Sequence, residues 1–221
     1  METKIRRPLL LFLSLALWAA PLAAKPEAWT AEIDRLTAAD ATNPPPQHAV
    51  VFVGSSSIRL WQSLPHDFPG IATINRGFGG SELADSVYYA DRIVIAYHPR
   101  TVVLFAGTND LWSGKTPEAV FADFQAFRAR LRTALPETKL IYLSITLAPS
   151  RMRIHDAMRA TNRLIANACA RDPHCTFVDL NTPMAGPNGL PPSELFRDDQ
   201  LHLKPAGYAI WTKVLAPYLQ P

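Results

Sequence analysis

Four short stretches of this 221-residue chain hold residue types at spacings able to do chemistry. Gly54-Ser55-Ser56-Ser57 follows an apolar run and leads into Ile58-Arg59-Leu60-Trp61. A serine on a tight strand-to-helix turn keeps its hydroxyl accessible. The helix start behind it offers unpaired N–H groups and positive potential to a developing oxyanion. The same serines also suit a helix N-cap and an anion cradle. In Gly77-Phe78-Gly79-Gly80-Ser81 the glycines let a backbone N–H approach a bound group closely; the alternative is a strained turn and nothing more. Gly107-Thr108-Asn109-Asp110 offers the Asn109 amide as a side-chain donor, or a turn that caps its own backbone. Asp199-Gln200-Leu201-His202 stands just ahead of Pro205. On a short turn, that spacing brings a carboxylate onto one imidazole nitrogen and leaves the other free to take a proton. An isolated pair of this kind is more often a surface pair.

The elements around these stretches give them a common location. AVVFVG at 49–54 is a continuous β-branched and aromatic run, as expected of a strand buried on both faces. Similar runs are IATIN at 71–75, TVVLFAG at 101–107, KLIYLSI at 139–145 and CTFVDL at 175–180. Helical periodicity is expected over 28–40, 83–96, 117–134, 151–170 and 205–215, with Pro117 and Pro205 in first turns, where a missing N–H costs nothing. Strands alternating with helices imply an α/β domain with a parallel sheet and right-handed crossovers. In such sheets ligands bind outside the carboxyl ends of the strands. Each of the four stretches falls at that edge or in a terminal loop able to reach it.

In this order along the chain, GxSS, FGGS, GTND and DxxH resemble the blocks of the SGNH hydrolases, also called the GDSL esterase and lipase family. The similarity runs from about Val50 to Leu219. It implies a flavodoxin-like three-layer α/β/α fold with a five-stranded parallel sheet. By the same resemblance Ser56 is the nucleophile and its N–H an oxyanion donor, Gly80 supplies a second backbone donor, and Asn109 a side-chain donor. His202 is then the base and Asp199 its orienting partner. Ser55 stands where the family usually has aspartate, and the block alone gives no physical reason to exclude Ser55 or Ser57 as nucleophile. Thr108 occupies a position that varies between relatives. The implied reaction is hydrolysis of short-acyl carboxylic esters through an acyl-enzyme, on a small-molecule ester or an acylated sugar. The alternatives are a carbohydrate or peptidoglycan O-acetylesterase and a non-catalytic binding module on the same fold. Neither an organic cofactor nor a metal is expected.

Composition agrees with a globular domain. Hydrophobic residues make up 48% and charged residues 19%, which excludes disorder, collagen-like repetition and coiled coil. Residues 1–24 read as a secretory leader: Lys4, Arg6 and Arg7, then an uncharged apolar run ending in PLAA before Lys25. Cleavage is expected near Ala24, with Ala23 as the alternative. The run is shorter than the roughly 20 residues of a membrane span, so the expectation is an exported, periplasmic or secreted domain over 25–221 with no stable membrane span. Losing the leader removes three basic groups and one acid, so the formal charge of +3 falls to +1. No basic stripe for nucleic acid remains. Cys169 and Cys175 are either a small-loop disulfide or two buried thiols. Arg151, with Arg153 and His155, opens the helix after the fourth strand and is a candidate substrate contact. Trp61 and Trp112 either line a pocket or belong to the core. Surface or capping roles are expected for His66, His98, His155 and His174, which lack zinc-ligand spacing.

Overall fold

Each of the five apolar runs forms a strand: β1 Val50–Gly54, β2 Thr73–Gly77, β3 Thr101–Phe105, β4 Lys139–Leu143 and β5 Cys175–Val178. All pair in parallel, in the order β2-β1-β3-β4-β5. The computed structural model describes residues 26–220, so the expected leader lies outside the described residues. In chain order the helices are α1 Thr30–Thr42, α2 Ser56–Arg59, α3 Leu64–Asp67, α4 Leu83–Tyr88, α5 Ala90–Ile93, α6 Thr108–Trp112, α7 Pro117–Ala134, α8 His155–Cys169, α9 Asn181–Met184 and α10 Pro205–Leu215.

Alternation along the strands sends side chains to two separate cores. Val51, Val53, Val102, Leu104, Leu140 and Tyr142 pack against residues of α1, α4, α5, α7 and α8. Val50, Phe52, Val103, Phe105, Ile141 and Leu143 pack against residues of α2, α3, α9 and α10. This is the expected three-layer α/β/α sandwich around a five-stranded parallel sheet. Cys169, the last residue of α8, and Cys175, the first of β5, are joined in a disulfide with their Cα atoms 4.7 Å apart.

Three local differences from the periodicity have physical reasons. β2 runs two residues later than its apolar run suggests, because Arg76 continues the edge strand with its charge paired inside the fold. Its guanidinium bonds Asp40 at 2.6 Å and the Tyr97 hydroxyl at 2.9 Å. The helix expected over 83–96 breaks into α4, α5 and a 3₁₀ turn over Ile95–Tyr97, which His98 ends in a left-handed conformation. The helix expected over 151–170 begins instead as a 3₁₀ segment, Pro149–Ile154, in which Arg151 leaves helical geometry (φ −112°, ψ 17°) before α8 starts.

The contact that matters most for the site lies between β1 and β3. Gly54 has φ +134°, and a Cβ there would sit 2.0 Å from the Phe105 carbonyl oxygen. The next residue, Ser55, donates its N–H to that same oxygen at 3.0 Å. Only glycine satisfies both the dihedral and the approach. Gly114 also has positive φ, +103°, but nothing lies within 4 Å of its would-be Cβ, so it isolates dihedral strain from steric conflict. Gly114→Ala is expected to cost about 1–2 kcal/mol and Gly54→Ala about 4 kcal/mol or more, read from urea unfolding; equal losses would contradict the close-approach account.

Candidate active site

β1 and β3 flank the point where the strand order reverses, and an open parallel sheet leaves a crevice there. α2 leaves β1 on one side of it and α6 leaves β3 on the other. α2 is short, so it depends on its neighbours for position. Asn75 in β2 donates to the Ile58 carbonyl at 2.7 Å and accepts from the Gly77 N–H at 2.9 Å. A side chain at Gly77 would run into the backbone of Arg59. From α10, the Tyr208 hydroxyl donates to the Ser57 carbonyl at 2.8 Å.

This clamp separates the three serines that the sequence leaves equivalent. Ser55 occupies the N-cap, but its side chain makes no capping bond. Ser55 and Ser57 are buried. Ser56, half-buried, lies 2.8 Å through Oγ from His202 Nε2. Among the described residues, no such bond joins His202 to either neighbouring serine.

His202 and Asp199 are held by a tight turn whose Gln200 has φ +54°. One carboxylate oxygen of Asp199 accepts the N–H groups of Leu201 and His202, each at 2.9 Å. The other lies 2.6 Å from His202 Nδ1. Burial pushes the Asp199 carboxyl up, but the His202 ring and these two backbone donors outweigh it and hold it at about 2. An ionised carboxylate only accepts, so the imidazole proton sits on Nδ1 and Nε2 is left to accept from the Ser56 hydroxyl. The turn is anchored at both flanks. The Arg197 N–H donates to the His202 carbonyl at 2.7 Å, and Ser150 donates both its N–H (3.1 Å) and its hydroxyl (3.0 Å) to the Gln200 carbonyl.

Opposite the imidazole, the Asn109 amide donates to the Ser81 carbonyl at 2.9 Å, which joins the β3 loop to the β2 loop. Gly80, exposed and at φ +74°, precedes Ser81; the Trp29 ring edge would lie 3.2 Å from a Cβ there. Trp29 is itself fixed by a bond from its Nε1 to Asp85 at 3.0 Å. Beneath these donors Asp110 is fully buried and accepts the Leu83 N–H on both oxygens, at 2.9 and 3.2 Å. Lys115 stands 3.4 Å away and also bonds Glu82 at 2.9 Å and Asp123 at 2.8 Å. Between Ser56 and Asn109 opens a small cavity walled by Thr108, Ala148, Phe196, Leu201 and Trp211. The cavity is narrow at its base, with a volume of about 20 Å³, enough there for one water.

The profile of the GDSL-like lipase/acylhydrolase family matches residues 53–210, a span that contains every residue of this constellation. The chain belongs to that family. As a member it is a hydrolase acting on acyl groups. Solved structures with the same fold include a Streptococcus pneumonia protein described as a platelet activating factor candidate (TM-score 0.77, 19% identity, covering 88% of this chain and 96% of that one). Others are a GDSL-like lipase from Bacteroides thetaiotaomicron (0.71, 24%, 86% and 97%) and an acetylxylan esterase from Geobacillus stearothermophilus (0.66, 14%, 80% and 96%). Comparison with curated proteins gives no match.

Other expected residues fall in different places in this acylhydrolase. Trp61 belongs to the core, stacked on Tyr208 and edge-on to Trp211 and Phe52, and does not line the cavity. Trp112 is 40% exposed at the end of α6, with Arg151 and Arg153 over its ring. His155 corrects the expectation of a surface or capping histidine: it is buried and bonded through Nε2 to the Ala148 carbonyl at 2.9 Å, bracing the cavity wall. His66 and His98 are exposed and His174 half-buried. Among the described residues, no cluster of three His, Cys, Asp or Glu side chains is arranged to hold a metal ion, and no helix is long and apolar enough to cross a membrane. The supports Asp110, Trp29 and Asp85 were not singled out from the sequence; Asp110 alone carries a signal there, as the neighbour of Asn109.

Asp110 gives this support a measurable signature. Burial pushes its carboxyl up to about 6, against the pull of the Leu83 N–H and the Lys115 charge. An unfolded aspartate protonates near 3.9, so ionised Asp110 opposes folding at neutral pH. That penalty is relieved as pH falls from about 6 to about 4. Asp199 behaves oppositely: its contribution is complete above about 3.9 and fades only toward pH 2. Asp110→Asn keeps an acceptor for Leu83 without the charge. Relative to that variant, the wild type is expected to gain about 2 kcal/mol in urea unfolding between pH 7 and pH 4; parallel stability curves would contradict this.

Proposed function

We propose that this acylhydrolase is a serine esterase that removes short acyl groups, acetyl foremost, through an acyl-enzyme intermediate. The observation that carries the reading is the unbroken hydrogen-bonded line from Asp199 through His202 to Ser56, with links of 2.6 and 2.8 Å. His202 Nε2 takes the Ser56 proton as Oγ attacks the ester carbonyl, and Asp199 stabilises the imidazolium that forms. The tetrahedral oxyanion is held by the N–H groups of Ser56 and Gly80 and by the Asn109 amide, whose second hydrogen is free of the bond to Ser81. Collapse breaks the bond to the alcohol oxygen, which leaves with the proton from His202. Water then repeats the attack on the acyl-serine, with His202 again taking and returning a proton.

The narrowness of the cavity supports a short acyl chain. So narrow a base suits acetate and crowds longer acyl chains. That supports acetylated sugars as natural esters, as does the fold shared with an acetylxylan esterase from Geobacillus stearothermophilus. The leader expected over residues 1–24 would deliver the activity to the periplasm or outside the cell. A binding module would not need a serine proton aligned on an imidazole, so this alternative is disfavoured.

A p-nitrophenyl ester series tests the reading. kcat/KM is expected to fall at least tenfold from acetate to octanoate, because a longer chain has no room at the base of the cavity. Ser56→Ala should abolish turnover, and Asn109→Ala should lower kcat by about 10²–10³. A rate that rises with chain length, or an Asn109→Ala enzyme with unchanged kcat, would overturn it.

A further inference from the structure

We infer that Arg151, Arg153 and Trp112 form an anion-recognising subsite, and that the ester this enzyme selects carries a carboxylate on its alcohol half, as an O-acetylated uronic acid does. The inference rests on the esterase reading above and adds the substrate's charge.

The cluster lies on the rim of the site. Trp112 ends the helix that carries Asn109. Arg151 and Arg153 follow Ser150, whose N–H and hydroxyl both hold the Gln200 carbonyl between Asp199 and His202. Ala148, three residues before Arg151, is part of the cavity wall. Arg151 is close enough to the triad for the Asp199 carboxylate to act on its charge. Through Ser150 the segment that carries both arginines is tied to the turn holding His202, the side on which the departing alcohol would collect its proton.

Their charge is what needs an explanation. The guanidinium carbons of Arg151 and Arg153 sit 4.1 and 4.7 Å from the centre of one indole ring. Among the described residues, no carboxylate lies within 4.0 Å of either. Arg76, Arg92, Arg128 and Arg130 each have an aspartate partner, and Arg100, Arg132 and Arg197, which have none, donate to backbone carbonyls outside their own turn. Arg151 Nε is buried without a hydrogen-bond partner, and the side chain's one internal bond is a long 3.4 Å contact to the Ser150 carbonyl. Burial and the Arg153 charge both lower its affinity for its proton, opposed by Asp199. Two like charges against one ring, neither neutralised by a protein carboxylate, leave guanidinium donors for the carboxylate of a substrate. The indole holds both guanidinium groups in place by cation–π attraction. A purely structural role, clamping Trp112 and through it Asn109, would affect every ester alike.

The test uses two acetyl esters matched but for charge: mono-O-acetylated methyl glucuronoside and the same acetate of methyl glucoside. Wild-type kcat/KM is expected to favour the uronate by about tenfold or more at low salt, with the preference shrinking as salt is raised. Arg151→Ala and Arg153→Ala should each bring the ratio toward one, and Arg151→Lys should retain part of it. Calorimetric binding of both esters to Ser56→Ala, which holds them unhydrolysed, gives a readout independent of turnover. Tighter binding of the uronate supports the subsite. Equal dissociation constants, or arginine variants that slow both esters in the same proportion, would overturn it. Failure to hydrolyse either ester would count against the esterase reading, and the Ser56→Ala affinities would still decide the anion site.

Discussion

The approach of β1 to β3 at their carboxyl ends is the constraint on which the rest of the site depends. Gly54 lies against the Phe105 carbonyl with no space for a side chain, and Ser55 hydrogen-bonds that same oxygen. One strand then turns into α2 and the other into α6 across a narrow crevice, which sets Ser56 and Asn109 at opposite lips of one cavity. The His202 turn comes from a distant part of the sequence and reaches Ser56 because α10 packs beneath α2, through Tyr208 to the Ser57 carbonyl. The site is therefore built on the ends of rigid elements and the loops between them, which is where an open parallel sheet exposes backbone donors.

Polar groups support the site in two ways. On the imidazole side they are backbone donors converging on Asp199, and they favour its ionised form. Under Gly80 and Asn109 a buried carboxylate, Asp110, holds the start of α4 through Leu83 while Lys115 draws in Glu82 and Asp123. The first arrangement keeps a proton on Nδ1 and leaves Nε2 able to accept. The second fixes the loop carrying Gly80 and Ser81 at the expense of a desolvated charge. Removing one member of such a network leaves other groups unpaired, so it is stiff as well as costly.

Much of the fold was legible because a parallel sheet writes itself as apolar runs between helical periods; α7 and α10 begin at Pro117 and Pro205, as proline in a first turn predicts. The shift of β2 was not legible, because Arg76 looks polar until Asp40 and Tyr97 arrive from elsewhere in the chain. For the site, block order proposes Asn109, Asp199 and His202, which the fold brings to one sheet edge, and the chain's membership of the GDSL-like family bears out the resemblance itself. The distinction among Ser55, Ser56 and Ser57 needed three dimensions: it arises from α2 being pinned by Asn75 and Tyr208, contacts that no local spacing encodes. The stacking of Arg151 and Arg153 on Trp112 likewise depends on the 3₁₀ segment that replaces the expected start of α8.

The central claim is that Ser56, and neither of its neighbours, is the activated nucleophile. The most direct measurement is mass spectrometry of the protein after exposure to an organophosphonate that reacts only with activated serines. The account predicts a single adduct on the peptide carrying Ser56, present in Ser55→Ala and Ser57→Ala and lost in Ser56→Ala and His202→Ala. An adduct that survives in Ser56→Ala, or no adduct on the wild type, would contradict it.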